Sequence, residues 1–253
     1  MYLERITWGW SRQVGGRRAA AIPIAAGLGA HQPDWRLRLA AEPQAGDREV
    51  QAATIARKTL AYDFFRILRA PQDGPEKIAE AAKKELQVID ILVNNAGGSR
   101  PIDIDAPDDV WNESMALNFD RHRQLTQQLL AHMIERKKGA ILNISGTYEA
   151  RVVNASAVAK AGLVVWSKGL SNQLGKYGIT VNCLQPGLID TAQIRRLYPG
   201  NARSDFAERE IALGDFGEPQ DVANMAAFLV SPRARYVTGT VAVVDGGMRH
   251  YSF

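Results

Sequence analysis

The feature that most constrains the fold is a rhythm running from about residue 75 to the end of the chain. Short apolar runs, each closing on a polar or glycine-bearing turn, alternate with stretches of helix length. Residues 75–87 (PEKIAEAAKKELQ) open on Pro75 and set Ile78, Ala81, Ala82 and Leu86 near helical spacing. Residues 88–93 (VIDILV) form an apolar run that ends at Asn94-Asn95-Ala96-Gly97-Gly98, the pattern of a buried strand entering a turn. The alternation continues as a helix over 107–135, a strand over 139–145, a helix over 154–177, a strand over 178–184 ending at Pro186-Gly187, a helix over 219–231 and a strand over 239–244 ending at Asp245-Gly246-Gly247. Strands separated by helices require right-handed crossovers and a parallel sheet. The expected fold is therefore α/β, a doubly wound Rossmann-type sheet with ligands beyond the carboxyl ends of its strands. Residues 17–30 read as helical although they carry Pro23, and residues 31–60 have weak periodicity. With no internal repeat, low-complexity tract or break in composition, residues 1–253 read as one domain.

Composition excludes several classes of function. A hydrophobic fraction of 46% and a charged fraction of 23% are those of a soluble globular protein. The net charge is +4, and residues 1–72 hold 11 Lys and Arg against six Asp and Glu. That excess lacks the interleaved aromatics of a nucleic-acid groove, so no nucleic-acid partner is expected. No run of 18 apolar residues is present, so no membrane span is expected, and the start Met1-Tyr2-Leu3-Glu4-Arg5 lacks a leader pattern. Cys183 is the single cysteine, which points to no disulfide and to the cytoplasm by default. His31, His122, His132 and His250 have no metal-ligand spacing, so no metal is expected. A Walker loop and a Gly-x-Ser-x-Gly elbow are both missing.

The turns carry a more specific signal. Asn94-Asn95-Ala96-Gly97 follows a strand, Asn118 lies in a helix, and Lys160 sits in Ala159-Lys160-Ala161-Gly162. Then come Gly178-Ile179-Thr180-Val181-Asn182, Pro186-Gly187-Leu188-Ile189-Asp190-Thr191, Gly217-Glu218-Pro219, Tyr236-Val237-Thr238-Gly239 and Val244-Asp245-Gly246-Gly247. In order and spacing this set resembles the short-chain dehydrogenase/reductase (SDR) family over about 170 residues. The resemblance implies an NAD- or NADP-dependent oxidoreductase acting on a small-molecule carbonyl or alcohol, assembled as a homo-oligomer (dimer or tetramer). It implies that Asn94, Ala96 and Gly97 line the adenosine and ribose side of the cofactor, and that Lys160 holds the nicotinamide ribose and lowers the pKa of the acid/base. It also implies that Asn118 holds a water in the proton relay and that Pro186, Gly187, Ile189 and Thr191 flank the nicotinamide. The chemistry needs a hydride carrier, a proton donor at the carbonyl oxygen and a group that polarises that oxygen.

The pattern breaks at three places. The best match to the family's glycine loop is Thr7-Trp8-Gly9-Trp10-Ser11-Arg12-Gln13-Val14-Gly15, where Trp8 and Gln13 stand at glycine positions and only Gly15 remains. Those glycines allow close backbone approach to pyrophosphate, and Arg12 is the side chain able to compensate by pairing with phosphate. Four residues before Lys160, where the family carries tyrosine, stands Ser156. The family serine falls on Gly146, with Ser145 before it and Thr147 after it; Tyr148 is the phenol nearest the expected site and the candidate replacement donor. An acidic residue that would choose between NAD and NADP is not placed among Asp34, Arg36, Arg38 and Glu42. Residues 192–216 are expected to form a substrate lid, with Leu197, Tyr198 and Pro199 available to line it. Two readings stay open: an NAD(P)-dependent oxidoreductase, or an SDR-fold protein without hydride transfer that binds partners or performs cofactor-free chemistry.

Overall fold

The computed structural model describes residues 21–23, 73–86, 88–99, 101–147, 149 and 151–250. Among them, five strands form one parallel sheet in the order β1 (Ala21–Pro23), β2 (Ile91–Asn94), β3 (Gly139–Ile144), β4 (Ile179–Pro186), β5 (Val241–Val244). The helices are α1 (Gly74–Leu86), α2 (Asp108–Met115), α3 (Arg121–Glu135), α4 (Ala155–Leu174), α5 (Ala192–Leu197), α6 (Ala202–Glu210) and α7 (Pro219–Leu229). A π-helical turn, Ala116–Asp120, joins α2 to α3, so the span expected as one long helix is continuous but wider in the middle.

The helical reading of residues 17–30 is corrected at its centre, because Ala21–Pro23 is a strand parallel to β2 with Ala21 opposite Ile91 and Pro23 opposite Val93. Alanine-rich composition favours helix, but Pro23 removes a backbone donor and excludes a helix interior. At the edge of the described sheet a proline is tolerated.

Residue period 2 along the strands sorts side chains onto two faces. Leu92, Ile141 and Val181, which lie in register, point to one face and pack with Ile78 and Ala82 of α1, Leu125, Leu129 and Met133 of α3 and Leu170 and Leu174 of α4. Val93, Leu142, Ile144 and Leu184 point to the other face and meet Val222, Ala223, Ala226 and Leu229 of α7. Helices on both faces of a parallel sheet make the doubly wound α/β architecture. A third, smaller cluster of Ile194, Ala207, Ile211 and Phe216 lies within and behind α5 and α6. Among the described residues no helix is long and apolar enough to cross a membrane.

Candidate active site

The carboxyl ends of β2 and β3, the π-turn and the first turns of α4 converge on Gly97. A Cβ built on Gly97 would lie 2.8 Å from Asn118 Oδ1 and 3.1 Å from Lys160 Nζ, so this position admits no side chain without displacing both. Asn118 sits on the π-turn, a device that recurs at functional sites. It is almost wholly buried, and its amide is spent: Nδ2 donates to Gly98 O (3.1 Å) and Ser114 O (2.9 Å), and Oδ1 accepts from Gly98 N (3.1 Å). Its bonds fix the turn after β2 against the helix.

Lys160 projects from the second turn of α4. Its Nζ donates to Ile144 O at 2.6 Å, at the last residue of β3. Burial lowers its ammonium from the usual range to about 8, with Cys183 on β4 pulling weakly the other way. Charge held out of water is disfavoured, and a single carbonyl replaces only part of the lost hydration.

Ser156 and Ser145 are both placed, and both hydroxyls are committed. Ser156 Oγ donates to Gly98 O (2.8 Å) and lies 3.1 Å from Ser114 Oγ, binding α4 to α2 and to the turn after β2. Ser145 is buried and its Oγ donates to Leu184 O at 3.3 Å, toward β4. Gly146, where the family serine would fall, leaves open space around its Cα. The turn into α4 is set by Asn154, whose side chain accepts from Ser156 N (3.0 Å) and Ala157 N (3.2 Å) and donates to Ser99 Oγ (3.0 Å). This is an N-cap that also ties α4 to the segment after β2.

The remaining expected cofactor residues are integrated into the sheet ends. Asn94 has no exposed surface; its Nδ2 donates to Thr126 Oγ1 (3.0 Å) and Asn143 Oδ1 (2.7 Å), and Asn143 passes the chain on to Ser167 (2.7 Å). The side chain of Asn94 thus braces β2, β3, α3 and α4 rather than facing the crevice, and Ala96 is buried in the core. Pro186 ends β4, and Gly187 packs so closely on Asp245 that a Cβ would lie 2.6 Å from its Cα. Ile189 belongs to the core beneath α7, and Thr191 caps α5 by accepting from Ile194 N at 3.3 Å. Arg12, Gly15 and Tyr148 lie outside the described residues, as do Asp34, Arg36, Arg38 and Glu42.

The lid differs from its expected form. Tyr198 does not stand free to line a substrate: its ring packs edge-on against Phe206 (5.0 Å) and Phe216 (5.5 Å). Arg203 stacks over Phe216 at 4.9 Å and pairs with Asp190 at 2.6 Å, so α5 and α6 form a small structure with its own apolar interior. Beside the site runs an open groove of about 800 Å³ lined by Ile102, Asp103, Ile104, Asp105, Arg151, Val152 and Val153.

One neighbour of Lys160 escaped the sequence reading. His122 lies one helical turn beyond Asn118 and is 1% exposed. Neither ring nitrogen has a partner of hydrogen-bonding geometry. Burial first, then the charge of Lys160, drives its pKa down to about 3 against a weak opposing contribution from the Ala96 backbone. It is a neutral imidazole under the site. The i,i+4 spacing from Asn118 was the available signal.

Residues 39–249 match the family model described as enoyl-(acyl carrier protein) reductase. The chain is 35% identical over 242 residues to the 3-oxoacyl-(acyl-carrier-protein) reductase of Chlamydia trachomatis, covering 92% of this chain and 94% of that one. It is 32% identical over 178 residues to the enzyme of the same name from Vibrio cholerae, covering 68% and 72%. The fold superposes on L-sorbose reductase from Gluconobacter frateurii, solved with NADPH and L-sorbose, with a TM-score of 0.67 and 29% identity over 73% of this chain and 75% of that one. A 7α-hydroxysteroid dehydrogenase solved with NADH and a 7-oxo bile acid conjugate gives the same TM-score and identity over 73% and 72%. Likeness of this extent, in sequence and in the course of the sheet, places the chain in the short-chain dehydrogenase/reductase family.

Proposed function

We propose that this chain is an NAD(P)-dependent oxidoreductase that interconverts a small carbonyl compound and its alcohol. The observation that carries the reading is the meeting of Lys160 Nζ, Asn118 Oδ1 and the bare Cα of Gly97 at the carboxyl ends of β2 and β3. That is where a doubly wound sheet receives a nucleotide. The residue that would hold the nicotinamide ribose end of the cofactor is Lys160, which has N–H groups that no described acceptor claims, and the missing Cβ of Gly97 is what lets Lys160 and Asn118 close against the turn after β2. The relatives are named reductases, and the two solved neighbours hold NADPH and NADH, which leaves the choice of nucleotide for this chain to measurement.

When bound, the cofactor supplies the hydride. The chain's own work is to hold and protonate. Lys160 grips the ribose and stands ready to place charge beside a developing alkoxide. Asn118 locks the turn after β2 so that Gly97 keeps its close approach, while Pro186, Gly187, Ile189 and Thr191 build the wall at the end of β4. Ser145 and Ser156 hold backbone carbonyls and thereby shape the crevice. The working unit is a single SDR-type domain of the cytoplasm. It assembles as a homo-oligomer, a reading supported by Val158 and Val165, both more than half exposed on one face of α4.

A second reading has one observation in its favour: the positions of the family's tyrosine and serine hold a committed serine and a glycine, Ser156 and Gly146. Such a chain would be an SDR-fold protein without hydride transfer. Titrating the purified chain with NADPH and NADH while following cofactor fluorescence separates the two. Saturable micromolar binding is the expected result. No saturation at millimolar cofactor, an affinity below about 4 kcal/mol, selects the second reading.

A further inference from the structure

Most donors around the candidate site are already committed, and Thr147 Oγ1 accepts from Glu149 N. Asn118 spends both amide protons on Gly98 O and Ser114 O. Ser156 spends its proton on Gly98 O, and Ser145 spends its proton on Leu184 O. An aliphatic hydroxyl is in any case a far weaker acid than the phenol it replaces. His122 is neutral, and its ring lies beneath the surface. At the meeting of Gly97, Asn118 and the end of β3, Lys160 Nζ is a proton-bearing cationic group with N–H bonds left over after its contact to Ile144 O.

The geometry points to Lys160 as the catalytic acid itself: its ammonium, held on Ile144 O beside Gly97, delivers the proton to the carbonyl oxygen in place of a tyrosine. This rests on the oxidoreductase reading above. The step balances as follows. An N–H bond of Lys160 breaks and its electron pair stays on Nζ as a free amine, while an O–H bond forms on the oxygen that gains negative charge as hydride reaches the carbonyl carbon. The carbonyl is reduced at the expense of reduced nicotinamide, and water returns a proton to the amine. An acid suited to this task has a pKa near the working pH, and the lysine's lowered value of about 8 meets that requirement where an ordinary lysine would not. The titratable groups facing Nζ are Cys183 on β4 and His122 on α3; the thiol is kept protonated by burial and the imidazole unprotonated, so neither adds a charge near neutral pH.

Two measurements on the full chain test the assignment. The first is the titration of Lys160 itself, followed by NMR of lysine labelled at Cε and Nζ and assigned by the signal missing from Lys160→Arg. A midpoint near 8 is expected. A midpoint at the ordinary lysine value of about 10.4 overturns the proposal. The second is turnover of ethyl acetoacetate with NADPH, with cofactor binding followed separately by fluorescence. Lys160→Arg keeps the positive charge but cannot release a proton. It is expected to bind NADPH and to lose about 100-fold or more in kcat. The wild-type reduction rate is expected to fall tenfold per pH unit above pH 8, and Tyr148→Phe is expected to keep that limb. A Lys160→Arg variant with wild-type kcat, or a Tyr148→Phe variant that loses the limb, overturns the donor assignment while leaving the oxidoreductase reading intact. A wild-type chain that neither binds nor oxidises NADPH overturns the reading itself, and the donor role with it.

Discussion

His122 shows how much a single buried residue can differ from its sequence appearance. In the sequence it is one of four scattered histidines; in the fold it is an imidazole closed off between α3 and the turn after β2, close enough to Lys160 to feel its charge. Its pKa of about 3 in the folded chain lies below the usual 6.5, so between those values the unfolded chain binds a proton that the folded chain refuses. Stability is fully present above pH 6.5 and is lost as pH falls toward 3. Between pH 7 and pH 5 this group alone is expected to cost about 2 kcal/mol. Urea unfolding at the two pH values should show that loss in the wild type and a correspondingly smaller one in His122→Leu; equal losses in the two proteins would discard the buried neutral imidazole. Ser156 teaches the complementary lesson. Its position four residues before Lys160 is legible from spacing, but that its proton is committed to Gly98 O depends on where the turn after β2 comes to rest.

At the scale of elements, helix α4 carries the site because its first turn is anchored twice. The Asn154 side chain accepts from two of the backbone N–H groups that a helix start leaves unpaired, and its own amide reaches Ser99 after β2. Asn154→Ala should lower stability by about 1 kcal/mol in chemical denaturation, the usual worth of such a cap. It should also raise amide hydrogen exchange at residues 155–158; unchanged exchange there would show that packing rather than the cap holds the turn. The segment after β4 behaves differently. Its helices α5 and α6 were expected as a lid from position alone, and they are present, but Tyr198 turns inward because three aromatic rings and Ile194 bury more apolar surface together than they would apart. Nothing in the local pattern of residues 192–216 distinguishes an inward from an outward tyrosine.

For the whole molecule, the two core clusters on opposite faces of the sheet follow from strand periodicity, and they leave α4 with one side buried and one exposed. On that exposed side Val165 is 74% and Val158 53% accessible, separated by two helical turns with Gly162 between them. The proposed homo-oligomer would cover these two valines by pairing this face of α4 with itself about a two-fold axis. Val165→Glu is expected to shift the assembly to smaller species in sedimentation velocity at micromolar concentration without loss of secondary structure. A wild-type chain that already sediments as a monomer refutes the pairing.

The sequence by itself determined the α/β alternation from residue 75 onward, the parallel sheet and the approximate bounds of its helices and strands, because periodicity and turn chemistry are local properties of neighbouring residues. Resemblance to the family, carried by the order and spacing of its turns, also singled out Gly97 after a strand and Asn118 and Lys160 on helices. Only the tertiary structure decided that Ala21–Pro23 is a strand beside β2, since a strand is completed by its partner rather than by its own propensity. The commitment of each hydroxyl to a backbone carbonyl, the seclusion of His122 and the lowered pKa of Lys160 belong to the same class. Each depends on which groups from distant parts of the chain share a space that excludes water, and no single stretch of sequence records that.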